Sequence, residues 1–225
     1  MLYMRSLTFI FENPRWWFVL LMGIISAIIP IIGMIFFMGY LGKMLIDCHK
    51  SKKEALPNFD LNLLGDYLKV GIWPFLGMFL PSIVVGFVFI FMNFGFMGLT
   101  IAGKENPGMF IAMILTNLIY IPIFLAVHFV MVPCMIGGTL GQNFGATFNK
   151  EFILDFTKKM WVDVFLVFMF LFVVGMLSML IGGLLCCVGA YVVFPLVMIM
   201  QWHLYWQLYE EYLKRGGQKI KINQN

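Results

Sequence analysis

The chain has 225 residues, of which 62% are hydrophobic and only 12% charged; it carries a net charge of +4 and a mean hydropathy of +0.93. Globular chains usually carry roughly a quarter of their residues as charges, so a water-soluble domain is excluded, and the length leaves room for one membrane domain and no separate soluble one. The basic excess lies beside apolar blocks, where it orients helices and meets anionic lipid, and it does not signal nucleic-acid binding.

Three stretches lack any Asp, Glu, Lys or Arg: the residues between Lys69 and Lys104, between Glu105 and Lys150, and between Asp163 and Glu210. A helix in water must show a polar face; a run of about 20 apolar residues is enough to cross a bilayer. The fold class expected is therefore all-α, a polytopic transmembrane helical bundle of about five spans with amphipathic surface helices. One integral domain should cover 1–217, with spans near 16–46, 70–97, 108–135, 161–181 and 185–209. A disordered tail should follow at 218–225.

Residues 1–13 alternate apolar and polar at helical spacing, so Leu2, Leu7, Phe9, Ile10 and Phe11 are expected on a bilayer surface. The first apolar block, Trp16 to Ile46, is roughly 31 residues, or about 46 Å as helix. That is long for one upright span and short for two. Pro30 and Gly33 in its middle leave two readings, a single kinked span, slightly favoured, or a re-entrant hairpin. The block is too long for a signal sequence and lacks a small-x-small cleavage site, so it is expected to be retained.

Residues 47–68 are polar and basic. Asp60 to Lys69 reads as a short amphipathic helix leading into the second block, which Pro74 and Pro81 should bend. Neighbouring helices re-satisfy the backbone groups that such prolines free. The third block carries Pro122 and Pro133. Gly137, Gly141 and Gly145 then recur every four residues, either as a helix-packing seam or as a flexible exit from the membrane. Thr147 to Lys159 reads as a second surface helix. The charge-free stretch after Asp163 is about 69 Å of helix, enough for two passes, with the turn at Gly182-Gly183 and Gly189. Gly216-Gly217 should end the last helix.

Lysine and arginine concentrate in the loops 47–69 and 136–160 and at the C-terminus. The positive-inside rule places that side in the cytoplasm. The expected location is the cell's inner (plasma) membrane, with the C-terminus cytoplasmic and the N-terminal side dependent on whether the first block spans or re-enters.

The run Ile29-Pro30-Ile31-Ile32-Gly33, then Gly39-Tyr40, a basic stretch and Ala55-Leu56-Pro57-Asn58-Phe59, resembles a prokaryotic membrane-protein family known as the domain of unknown function numbered four thousand and thirteen. The run from Ala146-Thr147-Phe148-Asn149 to Trp161 and the ending Tyr212-Leu213-Lys214-Arg215-Gly216-Gly217 are similar to it as well. The resemblance implies a multi-pass helical bundle in a prokaryotic plasma membrane. It brings no activity and no functional residues.

Candidate sites are few. His128 and His203 are intramembrane ionisable residues and could relay protons or serve as packing groups. With Asn93, Asn117 and Gln201 they would form a polar path if they shared one face. Trp202 and Trp206, with Lys158, Lys159 and Arg215, could meet lipid headgroups, or the aromatics could form an interfacial belt. Cys48, Cys134, Cys186 and Cys187 make no C-x-x-C pair and read as small apolar packers. Nucleophile elbows, phosphate loops and zinc spacings do not occur, so no catalytic residue, metal site or cofactor is expected. The reading that follows is a non-catalytic membrane protein working by assembly, as a scaffold, an accessory subunit or a homo-oligomer. Its partners would be membrane lipids and other membrane subunits or copies of itself. A small transporter, channel or lipid-handling protein is the alternative.

Overall fold

A computed structural model describes the backbone of residues 2–101, 107–184 and 188–223, with side chains except at 92–101, 107–117, 181, 184, 188 and 190. It is helical throughout, with no strand among the described residues: α1 (Tyr3–Thr8), a 3-10 turn (Phe9–Glu12), α2 (Trp16–Ile28), α3 (Ile32–Ser51), a 3-10 turn (Leu61–Leu63), α4 (Leu64–Ile101), α5 (Pro107–Gly141), α6 (Phe144–Thr147), α7 (Lys150–Leu184) and α8 (Val188–Lys214). The all-α membrane bundle expected from the sequence is the fold. By length and composition four helices can cross a membrane, at Ile32–Ser51, Leu61–Phe91, Leu118–Gly141 and Phe144–Leu180.

The long helices pack antiparallel in succession, α2 with α3, α3 with α4, α4 with α5, and α7 with α8. The first apolar block is thus a hairpin and not a single kinked span. The physical reason lies at two residues. Pro30 removes a backbone donor, and Ile31 takes φ +64°, ψ −67°, turning the chain through a tight bend closed by Ile32 N–H donating to the Pro30 carbonyl at 2.7 Å. Gly33 then lets α3 lie directly on α2, since a Cβ there would stand 2.1 Å from the Ser26 carbonyl oxygen. The prolines of α4, α5 and α8 sit inside helices that continue through them.

Two sequence-level elements merge into longer ones. The amphipathic stretch at Asp60–Lys69 runs as a 3-10 turn directly into α4. The stretch at Thr147–Lys159 is not a separate surface helix, because α7 runs from Lys150 through Trp161 without a break. Its start is capped by the Asn149 side chain, whose Oδ1 accepts the Phe152 N–H at 3.0 Å.

The molecule has two unlike ends. The buried core lies at the charged end, around Tyr40, Met44, Tyr67, Ile136, Phe156, Trp202, Tyr205, Tyr209 and Tyr212. Tyrosine hydroxyls at its edge tether the connecting segments: Tyr40 donates to the Pro57 carbonyl at 2.6 Å, Tyr67 accepts the Asp60 N–H, and Tyr209 accepts the Ile220 N–H. Toward the other end the helices turn large apolar side chains outward, among them Phe87, Phe91, Leu118, Phe172 and Leu180. These are lipid-facing surfaces, which need no polar face in hydrocarbon.

The C-terminal segment through Asn223 does not trail away as the sequence suggested. Gln218 N–H donates to the Tyr212 hydroxyl, Ile220 N–H to that of Tyr209, and Asn223 N–H to the Leu140 carbonyl, laying the tail against α8 and α5.

The seam between α3 and α4 is the tightest approach of two long helices. A Cβ at Gly39 would stand 1.7 Å from the Tyr67 carbonyl oxygen, and one at Gly71 would stand 1.9 Å from that of Ile35. Small residues permit such backbone contact in membrane helices. Gly71→Ala is expected to force the helices apart at a cost of about 1–3 kcal/mol, lowering the thermal midpoint in detergent. Gly86→Ala, with nothing within 4 Å, should leave it unchanged or raise it, since alanine is the better helix former by up to about 1 kcal/mol.

Candidate functional site

Polar side chains gather where the N-terminal segment meets α8. α1 lies along α8 so that Ser6 Oγ stands 2.8 Å from His203 Nδ1, Gln207 Nε2 stands 3.3 Å from each of them, and Gln207 Oε1 accepts the Leu2 N–H at 2.7 Å. The Phe9 ring stacks on the imidazole at 4.0 Å. On the far side of the ring, His203 Nε2 faces Glu54 Oε2 at 3.9 Å and makes no hydrogen bond. Glu54 in turn accepts from Arg5 Nε at 2.7 Å, and Arg5 also pairs with Glu12.

Serine, histidine and carboxylate in this order are the components of a nucleophilic set. The geometry gives them another use. Ser6 and His203 are fully buried, and the serine oxygen is enclosed by Gln207, the imidazole and, at 3.5 Å, the Leu2 carbonyl. A substrate carbonyl has no approach to it. The array is a clasp that fastens the N-terminus to the last helix.

A second clasp joins α3 to α8. His49 Nδ1 meets Glu210 Oε1 at 2.5 Å, and Lys52 Nζ donates to both carboxylate oxygens at 2.8 and 2.6 Å. Partial burial pushes the Glu210 carboxyl upward, but the hydrogen bonds from Lys52 and His49 outweigh it and hold the group below the ordinary value of 4.5. A third clasp closes the end of α8 onto α7: Arg215 donates to Asp163 at 2.7 Å, and Lys159 and the Tyr212 hydroxyl both donate to Asp155.

The residues singled out in the sequence fall as follows. His128 lies against Phe168 of α7, with its Nε2 unpaired. Gln201 donates to Tyr205 on its own helix. His203 faces α1. These three share no partner, and the Asn93 and Asn117 side chains lie outside the described residues. Trp202 and Trp206 are buried in the core and do not form a belt. Lys159 and Arg215 are engaged by Asp155, Asp163 and Glu211, while Lys158 is exposed. Gly137 and Gly141 make room for α6, whose Ala146 folds back onto them; Gly145 lies on α6 itself, against Asn143. The glycine spacing thus serves a local reversal, not a seam between spans. Cys48 and Cys134 are buried free thiols, and Cys186 and Cys187 lie outside the described residues. Among the described residues no group of His, Cys, Asp and Glu could hold a metal ion.

The hairpin tip is the other unusual place. Ile28, Ile29, Ile31 and Ile32 are exposed around the bend, and a cavity of about 310 Å³ opens beside it between Ser26, Met34, Phe37, Met179, Tyr191 and Phe194. A β-branched residue at positive φ is costly, of order 1–3 kcal/mol, and Ile31 presents that strained backbone at the surface.

Glu210 has its lowered value only in the folded protein. Its contribution to stability is therefore present above the ordinary value of 4.5 and is lost as pH falls through the lower, folded value. Glu210→Gln should lower the thermal midpoint near neutral pH and flatten this acid limb of the stability profile, as measured by scanning fluorimetry in detergent. Ser6→Ala should cost about 1–3 kcal/mol by leaving buried polar atoms of the clasp unpaired.

Comparison with curated proteins and with solved structures gives no match. The sequence does match, over residues 22–187, the family described as Protein of unknown function (DUF4013). That segment reaches from the first hairpin through α7, more than half of the chain, and the protein belongs to this family.

Proposed function

We propose that the protein is a non-catalytic integral membrane protein that works by assembly, as a scaffold or accessory subunit of a membrane complex or as a homo-oligomer. The observation that carries this reading is the exposed hairpin tip. α2 has 13 residues, about 20 Å of helix, against a hydrocarbon core of about 30 Å. α3 reaches Lys43 only about 17 Å above the bend. With Trp16 and Lys43 at the interface, the irregular turn Ile29-Pro30-Ile31 ends inside the hydrocarbon. Irregular backbone at that depth is tolerated where protein covers it and not where it faces lipid. A neighbouring subunit is the natural cover. The clasps support the same reading, since ionic and polar groups are spent on fastening segments of the chain to each other.

The hairpin also bears on orientation. It brings the N-terminal segment to the charged end, where Arg5 meets Glu54 and Leu2 meets Gln207. Of the 15 lysines and arginines all but Lys104, which lies outside the described residues, then belong to that end. We place the charged end, with both termini, in the cytoplasm of a cell with this protein in its plasma membrane. The transport reading finds less support, because the described members of the expected polar path face different neighbours.

A photoreactive residue introduced in place of Ile31 should yield one protein adduct of fixed mass in intact membranes, either twice the chain or the chain plus one partner. The same residue at Val84 or Met176 should label lipid. Lipid adducts alone at Ile31 would overturn the assembly reading. Single cysteines introduced at Leu2 and Lys221 should both resist impermeant maleimide in intact cells and react after lysis.

A further inference from the structure

A groove of about 650 Å³ opens at the charged end where α3, the start of α4 and the C-terminal segment meet. Five charged side chains line it: Lys43, Lys50 and Lys69, with Asp47 and Asp66. Several other carboxylates at this end are held by cations, among them Glu54, Asp155, Asp163 and Glu210. In the groove none of the five has an oppositely charged partner within 4.0 Å among the described residues. Lys43 is half-buried, with its ammonium 5.8 Å from the centre of the Tyr67 ring, a contact that orients a cation without neutralising it. The lower wall is apolar and continues onto the lipid-facing side of α4, where Leu68 and Ile72 are exposed beside Trp73. Val70 opens the uncharged run of α4, so the groove lies at the level where headgroups meet hydrocarbon, with tryptophan at its usual interfacial position.

Charges of both signs, left apart in one cleft, suit a ligand that carries both signs. We propose that this groove is a binding site for a phospholipid headgroup bearing a phosphate and a primary ammonium. Lys43, Lys50 and Lys69 take the phosphate, as point-charge donors do. Asp47 and Asp66 accept from the ammonium. The acyl chains leave along Leu68 and Ile72 into the bilayer. The shared chemistry is that of phosphoethanolamine, free or as a lipid head, and the apolar wall favours the lipid.

The test is native mass spectrometry of the intact protein in a neutral maltoside detergent, with phosphatidylethanolamine, phosphatidylcholine or phosphatidylglycerol added at equal concentration. The wild type should retain phosphatidylethanolamine at least fivefold over the other two. The choline lipid offers no N–H donor and the glycerol lipid no cation. Lys43→Gln/Lys50→Gln/Lys69→Gln should reduce its retention about tenfold. Asp47→Asn/Asp66→Asn should abolish the preference over the choline lipid while the chain stays monodisperse. Soluble phosphoethanolamine should displace the lipid only weakly, which separates a lipid site from one for the free headgroup. Equal or greater retention of phosphatidylglycerol by the wild type would overturn the proposal whatever the variants do. So would strong displacement of the lipid by inorganic phosphate, or an unchanged lysine variant.

Discussion

The backbone contact between α3 and α4 is the constraint on which the rest depends. Gly39 and Gly71 allow two helices to meet carbonyl to Cα, and Gly42 continues the approach toward Val70, Thr139 and Trp202. α3 is thereby fixed in the middle of the bundle, in contact with α2, α4, α5 and α8. Lipid tails are as apolar as leucine, so burial of apolar surface does little to hold helices together in the bilayer. Close packing must do it. Where the chain leaves the hydrocarbon, the hydrophobic effect returns, and there the large aromatic core forms.

This division explains the two unlike ends. At the charged end, fully burying a large apolar side chain is worth roughly 1.5–3 kcal/mol, and Tyr40, Trp202, Tyr205 and Tyr212 are all buried. The hydroxyls of Tyr40, Tyr67, Tyr209 and Tyr212 and the ionic clasps then fix the connecting segments and both terminal segments. Toward the other end, the outward phenylalanines and leucines gain nothing from folding inward. The short hairpin belongs to the packed end: most of α3 is buried, and only its bend reaches out of the core.

What could be read in the sequence follows the same line. Helix positions were legible because hydrocarbon imposes long uncharged runs. The break at Pro30 was legible, but its consequence was not, since proline and glycine serve a kink and a hairpin equally well. The decision came from Gly33 against Ser26, a contact that no periodicity reveals. Trp202 and Trp206 look like an interfacial belt because a buried aromatic core just outside the membrane has the same composition and spacing. The clasp of Ser6 with His203 joins positions 197 apart, and nothing local marks either residue. Glycines 137 and 141 carry a helix-packing pattern that α6 uses instead, because the chain reverses immediately after α5.

The short repeat Asp-aromatic-x-Lys gives a comparison within the molecule. In Asp66-Tyr67-Leu68-Lys69 and in Asp155-Phe156-Thr157-Lys158 the aromatic residue is buried and anchors the start of a long membrane helix. At the second place the carboxylate is satisfied by the protein itself, through Lys159 and the Tyr212 hydroxyl, and Arg215 closes over Asp163 about two turns further on. At the first place no such cation arrives. Of the C-terminal segment, Ile222 and Asn223 line this groove, and both are neutral. Two aspartates and three lysines are thus left in a cleft at a position whose counterpart is closed by the chain's own end. Charges at a membrane surface gain little from each other in water, but they gain more against a partner that removes water from both. The same local pattern has been used once as a lock and once as an open seat, and the difference lies in whether α8 reaches it.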